Sequence, residues 1–349
     1  MSFAQVVGRV GVPAVLVSPA CRGRVAAAAA ALPAGVSHYF GFETRTGRPD
    51  AESDFALNLS PAGLRWLAAG GGRWPRLAAF ARVWGETADP PFTDAGAVWL
   101  EFDTSAGGGD PSVFFALLNA AALRPGDDGP RAFDWACAEA VPALRGSPLP
   151  AKVADALARC AAAFPPGLDR LQIGLMLARP VDAVRVCAFG LTADAVPPLL
   201  RRAGWPGDLA ELTRVVDRYA PFADTLCLHL DVGAAVWPTV GVELLYRGAD
   251  PWDWQPPREP RWHGLFERLV ADGYCRPDKH DALLAWPGRT PYRAALVDRL
   301  IAAAAGPAEE PPADGELVTG LQHVKLSAGR GGFEFKAYFG CRHDPGGNP

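Results

Sequence analysis

The segment GLQHVKLSAGRGGFEFKAYFG, residues 320–340, has the pattern of a β-hairpin. Two runs of alternating apolar and polar residues flank a glycine-rich turn at 329–332, as in paired antiparallel strands. The segment holds two of the four lysines in the chain, Lys325 and Lys336, and Tyr338 follows two positions after the second. Because side chains alternate along a strand, Lys336 and Tyr338 are predicted to share one face.

The same hairpin pattern occurs four more times upstream. Each further pair of period-two segments is joined by turn-prone residues: 38–45 with 54–60, 98–104 with 111–118, 171–177 with 183–190, and 225–233 with 239–247. Helical periodicity predicts helices between these pairs, at 64–84, 151–164, 195–204, 208–220, 261–272 and 290–306. The last of these has the strongest helical pattern and ends at Gly306, a favoured helix terminator. The chain is therefore predicted to contain five helix–hairpin units.

Ten antiparallel strands interleaved with helices predict an α+β fold, in which a closed ten-stranded β-barrel is surrounded by helices. We expect residues 1–349 to form one domain. Each hairpin has an apolar face and a mixed polar face, so the polar faces would line the lumen if the apolar faces contact the helices. An open sheet with one solvated face is the alternative. Aromatic residues on the mixed face, Trp99, Phe114 and Phe189, favour the barrel.

Composition restricts the class of protein. Hydrophobic residues make up 49% of the chain and charged residues 21%, as in globular proteins. The net charge of −4 disfavours nucleic acid as a partner. Seven dispersed cysteines without a C-x-x-C pair favour reduced thiols and disfavour structural zinc. No apolar run approaches the ~20 residues that a membrane span needs. We therefore expect a soluble, cytoplasmic monomer.

Five helix–hairpin units in a chain of this length resemble the soluble aromatic prenyltransferases, also called ABBA or PT-barrel enzymes. The motif F-K-A-Y at 335–338 is similar to the K-x-Y strand ends on which fungal indole prenyltransferases build their diphosphate site. The motif F-E-T at 42–44 is similar to the first hairpin of such enzymes, where a glutamate orients the aromatic nucleophile. The resemblance implies an allylic diphosphate donor, dimethylallyl or longer, and an aromatic small molecule or peptide side chain as acceptor.

The resemblance and the strand faces together assign candidate roles. Charge-assisted bonds would stabilise the departing diphosphate, and the candidates are Lys325, Lys336, Tyr338, Arg185 and Arg247. Aromatic faces would shield an allylic cation, and the candidates are Tyr39, Trp99, Phe114 and Phe189. A carboxylate beside the acceptor would orient it and take up a proton; this is assigned to Glu43, with Glu101 as its substitute.

Departures from the family pattern leave alternatives open. Only the last hairpin keeps K-x-Y, and the predicted lumen is acidic on balance. Magnesium bound by Asp103 and Asp231 would offset that acidity, although aspartates at strand ends are also common turn residues. His229 is predicted to be a structural histidine. The alternative function is an inactive barrel that binds a peptide or small molecule as a helper in a biosynthetic pathway.

Overall fold

A computed structural model describes residues 3–33, 35–86, 98–105, 109–117, 132–165, 167–179, 182–248, 252–292, 315–329 and 331–344. Its strands, in chain order, are Tyr39–Arg45 (β1), Ser53–Asn58 (β2), Val98–Phe102 (β3), Ser112–Leu117 (β4), Arg170–Leu175 (β5), Val184–Leu191 (β6), Thr225–Val232 (β7), Val236–Leu245 (β8), Gly288–Tyr292 (β9), Gly315–Gly329 (β10) and Gly332–Asp344 (β11). All five predicted hairpins are present.

The strands close into an antiparallel ring. Chain neighbours pair from β1 to β8, β8 pairs with β10, and β11 pairs with both β10 and β1. This confirms the predicted ten-stranded barrel. Strand β9 is an addition, because it pairs only with the first part of β10, at 315–319, beyond the 323–328 segment that pairs with β8.

Helices cover the outside of the barrel. They are Phe3–Arg9 (α1), Pro19–Ala30 (α2), Pro61–Ala68 (α3), Pro75–Glu86 (α4), Ala132–Trp135 (α5), Val141–Arg145 (α6), Ala151–Ala162 (α7), Val196–Ala203 (α8), Leu209–Tyr219 (α9), Arg261–Ala271 (α10) and Pro277–Leu284 (α11), with a π-helical turn at Ala136–Ala140. Their buried side chains contact the apolar strand faces, as where the Tyr219 and Phe335 ring centroids lie 4.7 Å apart. The opposite strand faces are thereby directed into the lumen. None of the helices in the described ranges is both long and apolar enough to span a bilayer.

Helices α1, α2, α5, α6 and α11 were not predicted, and two of the predicted helices differ in the structure. The predicted helix at 64–84 is divided into α3 and α4, because Gly70 and Gly72 adopt positive φ values of 82° and 77° that end a right-handed helix. The predicted helix at 290–306 begins instead in a strand, since residues 288–292 form β9, and residues 293–306 lie outside the described part of the chain.

Candidate functional site

The barrel lumen contains two adjacent cavities of about 680 and 560 Å³ whose walls share Glu101, His229 and Lys325. The first cavity has a charged wall and extends to the hairpin turns. Its charged side chains are Glu43, Arg48, Glu101, Arg179, Arg185, Asp231, Lys325, Glu334 and Lys336. The second cavity is lined by aromatic rings, those of Trp99, Phe114, Phe189, Tyr246, Trp254 and Tyr338.

Glu43, Lys336 and Tyr338 form one hydrogen-bonded cluster, called here the Glu43 cluster. The register of β1 against β11 places Glu43 opposite Tyr338 and Arg45 opposite Lys336. Lys336 Nζ donates to Glu43 Oε1 at 2.5 Å, and the Tyr338 hydroxyl donates to Oε2. Burial raises the pKa of Glu43, but the positive charges of Lys336 and Lys325 outweigh it and lower the pKa to about 2. Glu43 is therefore ionised at neutral pH.

Lys325 belongs to a second polar group on the barrel wall. Its Nζ lies 3.0 Å from His229 Nδ1 and 3.8 Å from Glu243 Oε1. Burial lowers the pKa of His229 to about 4, despite the opposing charge of Glu243. Burial raises the pKa of Glu243, but His229 and His323 outweigh it and hold the pKa well below its usual range.

The two aspartates predicted as magnesium ligands are each held by an arginine. Arg185 donates to both carboxylate oxygens of Asp231, at 2.8 and 3.0 Å. Arg179 Nε donates to Asp103 Oδ2 at 3.0 Å, and Ser105 donates to the other oxygen of that carboxylate. Within the described ranges, neither aspartate belongs to a cluster of three potential metal ligands. Both aspartates are thus already paired with an arginine, and a magnesium site at Asp103 and Asp231 stays a prediction.

Arg179 and Asp54 are lumen residues that the sequence pattern did not predict. Arg179 lies 4.0 Å from both Asp54 and Glu101. Burial, with the charges of Glu43 and Glu101, raises the pKa of Asp54 to about 7. Burial and Glu43 also raise the pKa of Glu101, while Arg179 opposes the shift. Strand alternation places Asp54 on the same face of β2 as Ala56. Because Ala56 lines the second cavity, this alternation indicates that Asp54 also faces the lumen.

The other predicted site residues are distributed over the second cavity, its rim and a smaller neighbouring cavity. Trp99, Phe114 and Phe189 line the second cavity, and the Arg170 guanidinium stacks over the Phe189 ring at 4.0 Å. Tyr39 contacts Trp99, with ring centroids 5.5 Å apart, but lines a smaller neighbouring cavity of about 220 Å³. Arg247 lies at the rim of the second cavity, where it pairs with Asp169.

A comparison with solved structures identifies the architecture. The crystal structure of AnaPT from Neosartorya fischeri aligns over 99% of this chain and 93% of its own, with a TM-score of 0.50 at 12% identity. The chain has the PT-barrel fold. A structure titled 6-dimethylallyl tryptophan synthase aligns over 88% of this chain and 83% of its own, at 16% identity and a TM-score of 0.40. No protein-family profile and no curated protein sequence matches.

The PT barrel explains why these side chains meet. Closure brings β11 beside β1, so the first and last hairpins contribute to one site. The likeness confirms, at the level of the fold, the resemblance predicted from the sequence. Chemically, the barrel combines a cavity with buried cations and a cavity with aromatic walls, and the Glu43 cluster lies between them.

Proposed function

We propose that this protein is a prenyltransferase that moves an allylic group from its diphosphate to an aromatic acceptor, either a small molecule or a peptide side chain. The observation that carries the proposal is the position of the Glu43 cluster. Glu43 and Lys336 line the charged cavity, whereas Tyr338 lines the aromatic cavity. A diphosphate bound by Lys336 and Tyr338 would therefore have its prenyl chain beside aromatic rings.

In the proposed reaction, the C–O bond of the donor breaks, and the diphosphate leaves with the electron pair. Lys336, Tyr338 and Lys325 would donate to its oxygens and so lower the barrier to departure. Trp99 and Phe114 would stabilise the resulting allylic cation through their π faces. The barrel wall would keep water from the cation.

The two carboxylates have different roles in this scheme. Glu43, which accepts from Lys336 in the unliganded barrel, would orient an N–H or O–H group of the acceptor once the diphosphate has taken over Lys336. Glu101, whose pKa is raised, is the better acceptor for the proton that the aromatic ring loses after forming the new carbon bond.

A specific observation also supports a second function, a binding barrel without transferase activity. Among the described residues, all five cations of the charged cavity already have a carboxylate partner: Lys336 with Glu43, Arg185 with Asp231, Arg179 with Asp103, Arg48 with Glu334, and Lys325 with Glu243. A diphosphate would have to displace at least one carboxylate. A neutral peptide or small molecule would not, so this second candidate is a binding helper.

Thermal unfolding in the presence of donors separates the two functions. Dimethylallyl, geranyl and farnesyl diphosphate would each be tested with and without magnesium. A ligand at about 100 times its dissociation constant should stabilise the fold by roughly 2.7 kcal/mol. We expect this stabilisation in the wild type and in the surface control Arg258→Gln, and its loss in Lys336→Met/Glu43→Gln, each compared with its own unliganded protein.

Incubation with the stabilising donor and a panel of aromatic compounds and tryptophan-containing peptides then tests turnover. A product whose mass increases by the prenyl group supports the transferase. Absence of stabilisation by every donor would contradict the transferase proposal and support the binding function, which needs no diphosphate site.

A further inference from the structure

Three buried side chains with different metal-binding groups meet on the lumen wall. Cys227 on β7 lies opposite Glu243 on β8, and His229 follows two positions after Cys227. One potential ligand atom from each residue lies within 4.8 Å of those of the other two. The set combines a thiol, an imidazole and a carboxylate.

The Nε2 atoms of two histidines converge on the carboxylate of this group. His229 Nε2 lies 2.7 Å from Glu243 Oε1, and His323 Nε2 lies 3.4 Å from the same oxygen. Neither contact is aligned as a hydrogen bond, and neither buried nitrogen has another hydrogen-bond partner among the described residues. Because buried polar atoms normally have partners, two such nitrogens beside one carboxylate oxygen are available as ligands for a cation.

We propose that Cys227, His229 and Glu243 bind Zn²⁺. Zinc accepts thiolate, imidazole and carboxylate ligands together, whereas magnesium selects oxygen ligands. Three protein ligands leave a fourth coordination position for water or substrate. His229, Glu243 and His323 line the second cavity, so that position is reached from the aromatic cavity. This site does not need a C-x-x-C pair. The register between β7 and β8 places Glu243 opposite Cys227, beside His229 on the same strand.

The surroundings of His229 fit metal binding through Nε2. A metal-bound histidine donates its other ring N–H to a neighbouring acceptor, and Cys187 Sγ lies 3.3 Å from Nδ1. Lys325 Nζ, 3.0 Å from the same Nδ1, carries only donors and must turn away when Nδ1 is protonated. Its positive charge near Glu243 also opposes a metal cation. Lys325 therefore competes with zinc for this part of the wall.

Cobalt substitution tests the site in the full-length protein. Metal-stripped protein would be titrated with Co²⁺ and then with Zn²⁺. We expect saturation at one equivalent, tetrahedral d–d bands, and a sulfur-to-cobalt charge-transfer band that Zn²⁺ abolishes. Cys227→Ser should remove the charge-transfer band, and His229→Gln should weaken Zn²⁺ binding by about a hundredfold. The control Cys160→Ser, at a buried cysteine of α7, should leave both unchanged.

A further variant tests the site while leaving all three metal-binding side chains in place. Lys325→Gln removes the competing charge and should tighten Zn²⁺ binding by about tenfold or more. If His229→Gln does not fold, this variant and Cys227→Ser still decide the question. Failure to bind Co²⁺ at one equivalent, a charge-transfer band that survives Cys227→Ser, or unchanged affinity in Lys325→Gln would overturn the proposal.

Discussion

Lys336 and Glu43 form a buried ion pair, and each side chain compensates the charge of the other. Their exposed side-chain fractions are 14% and 7%, so each charge depends on the other for compensation. Removing one member of a buried pair leaves the remaining charge unpaired, which typically costs about 3–5 kcal/mol, whereas replacing both members is often nearly neutral.

We therefore expect Lys336→Met to lower the free energy of unfolding by about 3–5 kcal/mol. The double variant Lys336→Met/Glu43→Gln should recover most of this loss, because glutamine is uncharged and still accepts a hydrogen bond from Tyr338. Urea unfolding at pH 7 measures both values. A double variant as unstable as the sum of the two single variants would contradict a compensated ion pair.

Asp54 provides a pH-dependent prediction. Its pKa in the folded protein is about 7, above the ordinary value of 3.8. For an acid with a raised folded pKa, stability falls as pH rises between the unfolded and folded values, here from about 4 to about 7, and the penalty is complete above pH 7. Asp54→Asn should therefore stabilise the protein by about 2–4 kcal/mol at pH 8.

The same substitution should have little effect near pH 4, where aspartate is protonated in the fold. Asparagine keeps the oxygen that accepts from Thr104 N at 3.3 Å. Urea unfolding at both pH values measures the difference, with the exposed Asp217→Asn as the control. Equal effects at pH 4 and pH 8 would show that Asp54 carries no buried charge.

Strand alternation was sufficient to predict that Lys336, Tyr338 and Glu43 face one lumen. It was not sufficient to predict that they bind one another, because that contact depends on the register between the first and last hairpins. Arg179 was missed for a related reason. It lies after β5, outside any alternating pattern, and only the closed barrel brings it to Asp54 and Glu101.

Glycines in the strands make space on the lumen wall. Gly174 on β5 lies opposite Phe114 on β4, and the Phe114 ring covers it. A Cβ atom at position 174 would lie 2.4 Å from Phe114 Cδ1, which is too close for any real contact. The aromatic ring therefore occupies its position in the second cavity because the neighbouring strand has no side chain there.

Gly174→Val should displace Phe114 and lower stability by about 1–3 kcal/mol, the usual cost of overpacking. Thermal unfolding measures this effect. Gly85→Ala on α4, where a Cβ atom would meet none of the described residues within 4 Å, is the control and should leave stability unchanged or raised. Equal melting temperatures for Gly174→Val and the wild type would contradict the packing argument.

The hairpins were predictable from the sequence, since a period of two is retained wherever one face is apolar. Helix boundaries were less predictable. Alternation within 288–292 is too short to distinguish a strand from the start of a helix, and β9 is fixed by its pairing with β10 rather than by its own pattern. Helix α11 begins at Pro277, a favoured first position, but its eight residues have only a weak apolar face.

The last hairpin closes the barrel. Strand β10 pairs with β8, and β11 pairs with β1, so the seam joins the two ends of the sequence. Contacts between such distant segments form slowly during folding. Until they form, β1 and β8 have unpaired edges that favour association with other chains.

Two glycines face each other across this seam, Gly41 on β1 and Gly340 on β11. A Cβ atom at position 340 would lie 2.4 Å from the backbone oxygen of Phe40, whereas one at position 41 would lie 2.8 Å from the oxygen of Phe339. The strands approach closely because neither residue has a side chain. Gly340→Val should therefore open the barrel between β1 and β11 while leaving the hairpins between β5 and β8 paired.

Hydrogen exchange measures this opening strand by strand. In Gly340→Val we expect faster exchange of the β1 and β11 amides, protected amides in β6 and β7, and oligomers in size-exclusion chromatography where the wild type is expected as a monomer. Gly329→Ala, whose Cβ atom would make an ordinary 3.5 Å contact with Thr239, should retain wild-type exchange. Exchange that increases equally in all strands would mean that the barrel unfolds as one unit rather than opening at its seam.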